Sequence, residues 1–202
     1  MYKLRINDKN IKNRIKTVQN SFICKEMKEM IQKNKGVIKF LVIFLLSYLL
    51  LTVLYRWYLA PETVLDVYTH WVSNHSVGLL HFFGEPIIDE VQGNTVSLIY
   101  DDTIIAYIAE GCNVMSVQIL FIAFILAFAR KWKPTFLYII YGFIFIYVMN
   151  VIRIALFVML LHRYPQYNSF LHDIFFPAII YGSVFLLWMN WIRLFQNDKK
   201  NG

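Results

Sequence analysis

The sequence predicts an all-α, polytopic membrane protein: a four-span helical bundle carrying a small exoplasmic β-hairpin and an interfacial helix. Three observations predict it. Of 202 residues, 58% are hydrophobic and only 16% charged, against roughly a quarter charged in a soluble domain. The apolar residues are gathered into long runs. The charge is segregated, with 11 of the 20 Lys and Arg in residues 1–39 and none in Trp57–Ala129. Together these exclude a soluble enzyme and a disordered adaptor. A formal net charge of +7 suits nucleic acid in principle. Basic residues flanking apolar runs, however, set membrane topology, so the expected partner is the lipid bilayer and no nucleic acid is expected.

Residues 1–35 form a basic segment, read as a cytoplasmic tail or short amphipathic helix at the anionic leaflet, and 36–202 form one membrane domain. The first span is placed at 37–55, where only Lys39 is charged; Lys39 lies near enough to the end to snorkel. The segment before it is too long and polar for a signal peptide, and Tyr58-Leu59-Ala60-Pro61 is a poor cleavage site, so the span is expected to be retained. The second span is placed at 114–129, slightly short of the about 17–25 residues usual for a crossing. A third run follows Pro134 and reaches from 135 to 161, extending outside the bilayer and interrupted by Asn150 and Arg153. The fourth, at 174–192, has no charge.

Placing the N-terminal segment, the Arg130–Lys133 connection and the C-terminal tail on one side collects 17 of the 20 basic residues there. Only Arg56, Arg153 and Arg163 are left for the other side. The positive-inside rule then gives both termini in the cytoplasm and four crossings. Between the first two spans, Glu62–Phe83 sets Val64, Leu65, Tyr68, Trp71 and Val72 at helical spacing. Polar Asp66, His70, Asn74 and His75 interleave with them, as in an interfacial helix. Gly84-Glu85-Pro86 ends it. Two β-branched runs beginning at Thr95 and Thr103, joined by Asp101-Asp102, read as a hairpin. That hairpin either plugs the top of the bundle or offers an edge to an extended peptide.

Two cysteines are present. Cys24 lies in the basic tail and Cys112 on the opposite side, so they cannot pair, and no metal-ligand spacing or cofactor motif exists. Cys112 is expected to open the second helix, where the positive helix end favours a thiolate. Eighteen residues above Thr135, a rise of about 27 Å, Arg153 falls near the outer boundary, level with Cys112. An ionisable residue inside such a run is a functional candidate by default. Asn150 shares its face and could bond the guanidinium or the substrate. His172 also falls at the outer face, and imidazole suits activation of a thiol near neutral pH. The adjacent Asp173 could assist it or serve as a helix-start carboxylate. His162 and Arg163, in the next connection, rank second. His70, His75 and His81 read as interfacial polar residues.

Each residue alone is ambiguous, since a Cys can be packing and an Arg can snorkel to lipid phosphate. As a set, a nucleophile, a cation and a base from three helices converge at one depth, which is what acyl transfer through a thioester needs. Gly111-Cys112-Asn113 at a helix opening, Asn150-x-x-Arg153 in the third run and His172 before the last resemble the exosortase/archaeosortase membrane transpeptidases. The resemblance covers roughly residues 37–195 and is closest to the short exosortase F branch. It implies a cysteine peptidase/transpeptidase of the bacterial cytoplasmic (inner) membrane with its site on the exoplasmic, periplasmic side. Its partners would be membrane-anchored proteins bearing a C-terminal sorting signal, which it cleaves and transfers to an acceptor. The resemblance assigns Cys112 as nucleophile, Arg153 as stabiliser and His172 as general acid/base, with no metal or cofactor. Asn113, Asn150 and Asp173 are candidate substrate-binding or orienting residues. Asn113-Val114 stand where many members have a small residue and Gly. The competing reading is a non-enzymatic membrane assembly or scaffold protein. A lipid-modifying enzyme is less favoured, having only Asp89, Glu90, Asp101, Asp102 and Glu110 to work with.

Overall fold

A computed structural model describes residues 30–59, 65–109, 112–129 and 131–200. Cys24, most of the basic N-terminal segment, Glu110, Gly111 and Arg130 lie outside the described residues. The chain divides into two units, 1–42 and 43–202. In the first, the described residues are helical apart from a turn at Asn34, and exposed apart from half-buried Phe40. All that follows concerns the second, apart from the first residues of α1.

Helix α1 (Lys35–Tyr58) is apolar on every side and has no buried residue. A helix hydrophobic all round is at home in hydrocarbon. Among the described residues it is one of three stretches long and apolar enough to cross a membrane, with Trp132–Arg163 and Pro165–Leu194.

Helix α2 (Val67–Phe82) starts at Asp66, whose carboxylate accepts from the Thr69 N–H at 2.9 Å, the standard N-cap bond. Its buried stripe is Thr69, Val72, Ser73, Ser76, Val77 and Leu80, at the i, i+3, i+4 spacing of one helix face. The expected interfacial helix is therefore present but differently used. Its small, serine-rich face packs against Ile154, Ala155 and Val158 and against the sheet, while Trp71 stays exposed.

The sheet has three antiparallel strands in the order β1 (Ile88–Gln92), β2 (Thr95–Tyr100), β3 (Thr103–Ile108). The expected hairpin is β2–β3. Asp101 and Asp102 both have positive φ, 45° and 58°, the type I′ conformation whose twist suits a two-residue hairpin. A bulge between Leu98 and Ile99 shifts the register, leaving Ile105 without a partner on β2. Strand β1 was not expected. Its signal was the two-residue Gly93-Asn94 link to β2, with Gly93 at φ +63°.

Helix α3 (Met115–Ala127) has 13 residues, about 20 Å at 1.5 Å per residue. It is shorter than the run expected at 114–129 because Val114 turns the backbone left-handed (φ 54°) just before it. By length it falls short of a crossing.

Helix α4 (Trp132–Arg163) runs 32 residues without a break at Asn150. It begins before Pro134 rather than after it, because a proline in the first turn removes no intrahelical hydrogen bond. Gly142 lets α3 approach, since a Cβ there would run into the Phe121 ring. After Arg163 the chain makes a short turn and a π-helical turn, Leu171–Phe175, and enters α5 (Phe176–Lys200). The second apolar core joins α3, α4 and α5 through Phe121, Ile146, Ile180 and Leu187.

Candidate active site

Cys112 lies three residues before α3, on the short link from β3. It does not open the helix, so the expected helix-dipole effect is weakened. The first helical N–H, that of Met115, donates instead to Asn113 Oδ1 at 3.0 Å. Two buried asparagines hold the link. Asn113, 1% exposed, donates from Nδ2 to Thr69 Oγ1 at 2.9 Å and to the Tyr55 hydroxyl at 3.1 Å. Thr69 in turn donates to the Asp66 carboxylate. Asn150, 0% exposed, donates to the Cys112 carbonyl at 2.9 Å. Its amide thus supports the backbone of Cys112 rather than the guanidinium one turn away. Asn150 Oδ1 is buried and has no hydrogen-bond partner among the described residues.

Arg153 reaches toward Cys112 and Tyr181, the titratable neighbours that act on its charge. Among the described residues no carboxylate pairs with it. His172 sits in the π-helical turn with Nδ1 2.8 Å from Asp173 Oδ1. When Nδ1 carries the proton and donates it to Asp173, Nε2 is left as the basic atom. Both side chains are exposed, 59% and 65%, and the His172 ring lies 5.9 Å from that of Phe157.

Two cavities meet at these groups. One, about 40 Å³, lies between β2, β3, α4 and the residues around His172. The other, about 340 Å³, lies between the start of α3 and the facing sides of α4 and α5. Cys112, Arg153 and His172 line both. The three candidates therefore share one junction, with a strand-walled space on one side and a helix-walled space on the other. Ligand sites are usually about 300–1,000 Å³, a range that the helix-walled cavity reaches and the strand-walled one does not.

The residues ranked second are engaged elsewhere. The His162 ring packs on Tyr100, 3.9 Å between centroids, and Arg163 faces Glu85 at 3.8 Å. His81 Nε2 is 2.6 Å from the Ile87 carbonyl, and His75 Nδ1 is near both Trp71 O and the Tyr147 hydroxyl. Asp101 and Asp102 form the hairpin turn. Thr69, Tyr55 and Gln118 escaped sequence reasoning. Gln118 is fully buried, accepts from the Tyr68 hydroxyl at 2.7 Å and donates to the Phe143 carbonyl. An amide in the apolar run at 114–129, where only Ser116 is also polar, was its signal. Burial holds the Tyr68 phenol well above its usual pKa, against the opposing pull of the Gln118 bond.

Fold and site together define a multi-pass membrane protein with a mainly apolar cavity into which a cysteine, an arginine and a histidine are set. Residues 36–192 match the family described as Transmembrane exosortase. The chain belongs to that family. No curated protein and no solved structure matches it. Membership implies a cysteine-protease-like transpeptidase acting on sorting-signal substrates in membranes.

Proposed function

We propose that this exosortase cleaves a C-terminal sorting signal through a thioester on Cys112 and passes the acyl chain to an acceptor. The observation that carries the reading is the shared junction: Cys112, Arg153 and His172 line both cavities. The helix-walled cavity marks where the signal's chain reaches Cys112 as its transmembrane segment lies against α3 and α5. The peptide that precedes it passes Cys112 beside the strand-walled cavity. His172 Nε2 takes the Cys112 proton, and the sulfur attacks the scissile carbonyl. Arg153, a cation with no carboxylate partner among the described residues, stabilises the oxyanion. As the C–N bond breaks, His172 returns the proton to the departing amine. An acceptor amine or water then attacks the thioester, and the thiolate leaves. Asp173 orients His172, and Asn113 and Asn150 hold the nucleophile's backbone.

The basic residues orient the protein with both termini in the cytoplasm of a bacterial inner membrane and the site outside. The short α3 completes a fourth crossing beside the three long stretches, in a bilayer locally thinned around it.

Mass spectrometry of the full-length protein purified from membranes tests this. The expected result is a hydroxylamine-labile polypeptide adduct on Cys112, absent from Cys112→Ala. Intact function in Cys112→Ala, with loss of assembly in Arg153→Ala, would favour a scaffold instead.

A further inference from the structure

We infer that the Tyr181 hydroxyl is a second hydrogen-bond donor to the oxyanion, acting beside Arg153. This rests on the transpeptidase reading above and adds a catalytic residue to it. Tyr181 lines the helix-walled cavity together with Cys112, Arg153 and His172. It is also one of the two titratable groups close enough to Arg153 to act on its charge.

The π-helical turn brings Tyr181 to this wall. On an unbroken α-helix, His172 would share its face with Phe176 and Ile180, four and eight residues on. Here the Phe176 N–H bonds back five residues, to the Leu171 carbonyl, so the turn takes in one extra residue. Pro177 comes next and has no N–H with which to restore the α-helical ladder. The extra residue carries Pro177 and Tyr181 toward the cavity that His172 lines. Ile180 fills the buried side of the same wall at 2% exposed, and Tyr181 stands on its open side at 57%. Such π-turns are frequent at functional sites.

The chemistry of the pair fits a developing negative charge. A guanidinium only donates hydrogen bonds, whereas a phenol donates one and accepts others. Neither Arg153 nor the Tyr181 hydroxyl has a hydrogen-bond partner among the described residues. An oxyanion beside them therefore takes an N–H from one and the O–H from the other, and no existing bond is given up. Val114, Val117, Pro177 and Ile180 make the rest of the wall largely apolar, and donors in such surroundings are worth more than in water.

The test applies two small reagents to the full-length protein from membranes. With p-nitrophenyl acetate, the Cys112 sulfur bonds to the acetyl carbon, whose oxygen becomes the oxyanion. The carbon–oxygen ester bond then breaks, p-nitrophenolate leaves, and His172 keeps the thiol proton. With methyl methanethiosulfonate, the same sulfur forms a disulfide and methanesulfinate leaves, with no carbonyl involved. Mass spectrometry of the Cys112 peptide follows both rates. Tyr181→Phe should be acetylated about ten- to a hundredfold more slowly than wild type, the worth of one hydrogen bond to a charged group. Its disulfide rate should be unchanged. Arg153→Ala should also be acetylated slowly. Wild-type acetylation of Tyr181→Phe beside slow acetylation of Arg153→Ala would overturn this inference alone and leave Tyr181 a lipid-facing anchor. Equal slowing of both reactions in Tyr181→Phe would overturn it as well, since a damaged site slows both. Wild-type acetylation of Arg153→Ala would overturn the oxyanion role in the transpeptidase reading first, and this inference with it.

Discussion

Cys112 and His172 line the same cavities, yet they are held in opposite ways. The Cys112 link is tied down by buried amides: Asn150 on its carbonyl, and Asn113 on Thr69, Tyr55 and the first N–H of α3. His172 projects from a π-helical turn, exposed, and among the described residues only its neighbour Asp173 is hydrogen-bonded to it. A buried hydrogen bond that loses one partner costs about 1–3 kcal/mol, whereas exposed contacts cost little. The nucleophile's half of the site is thus coupled to folding, and the base's half is coupled mainly to chemistry.

Predictions that break or sharpen this contrast begin with the largest effect. Cys112→Ala should abolish substrate processing, a loss of at least about a thousandfold, with thermal stability in detergent unchanged; retained processing would remove the nucleophile from the scheme. His172→Ala should slow processing roughly 10²–10⁴-fold while moving stability by less than about 0.5 kcal/mol. A large stability loss there would erase the contrast between the two halves. Asn113→Ala should do both, since it strips three hydrogen bonds from buried groups. We expect a destabilisation of about 2 kcal/mol or more, read by thermal unfolding, together with reduced adduct yield.

Val114 sharpens the comparison further. It is β-branched, 3% exposed and left-handed at φ 54°, a conformation that costs an L-residue about 1–2 kcal/mol. Glycine relieves that strain but loses the buried side chain, whereas alanine loses the side chain and keeps the strain. Val114→Gly should therefore be the more stable of the two variants, the reverse of the usual order; a less stable Val114→Gly would mean the turn is not strained.

The smallest effect is at Tyr68. Its phenol is held neutral by burial, with its pKa raised above the ordinary 10.0. The stability this gives is complete below about pH 10 and declines as pH rises from there toward the folded-state value. Tyr68→Phe should cost about 1 kcal/mol at neutral pH and lessen that alkaline decline, as pH-dependent unfolding would show.

Local signals carried the parts of the fold that local chemistry decides. The Asp101-Asp102 hairpin was legible because two adjacent residues that tolerate positive φ, flanked by β-branched runs, admit few other conformations. The Gly93-Asn94 link carried a similar signal that went unread, so β1 was missed. Asn113 and Asn150 were legible as polar residues near the site but not as supports of Cys112, because their partners lie 38 to 58 residues away along the chain.

Composition and spacing sufficed for the membrane class, the long apolar helices, the hairpin and the list of candidate reactive groups, because each depends on residues within a few turns of one another. Tertiary packing alone determined that α2 folds onto α4 rather than lying free, that α3 starts after Cys112, and that two cavities share three side chains. Those features depend on which faces meet across the chain, and burial makes each meeting contingent on the others.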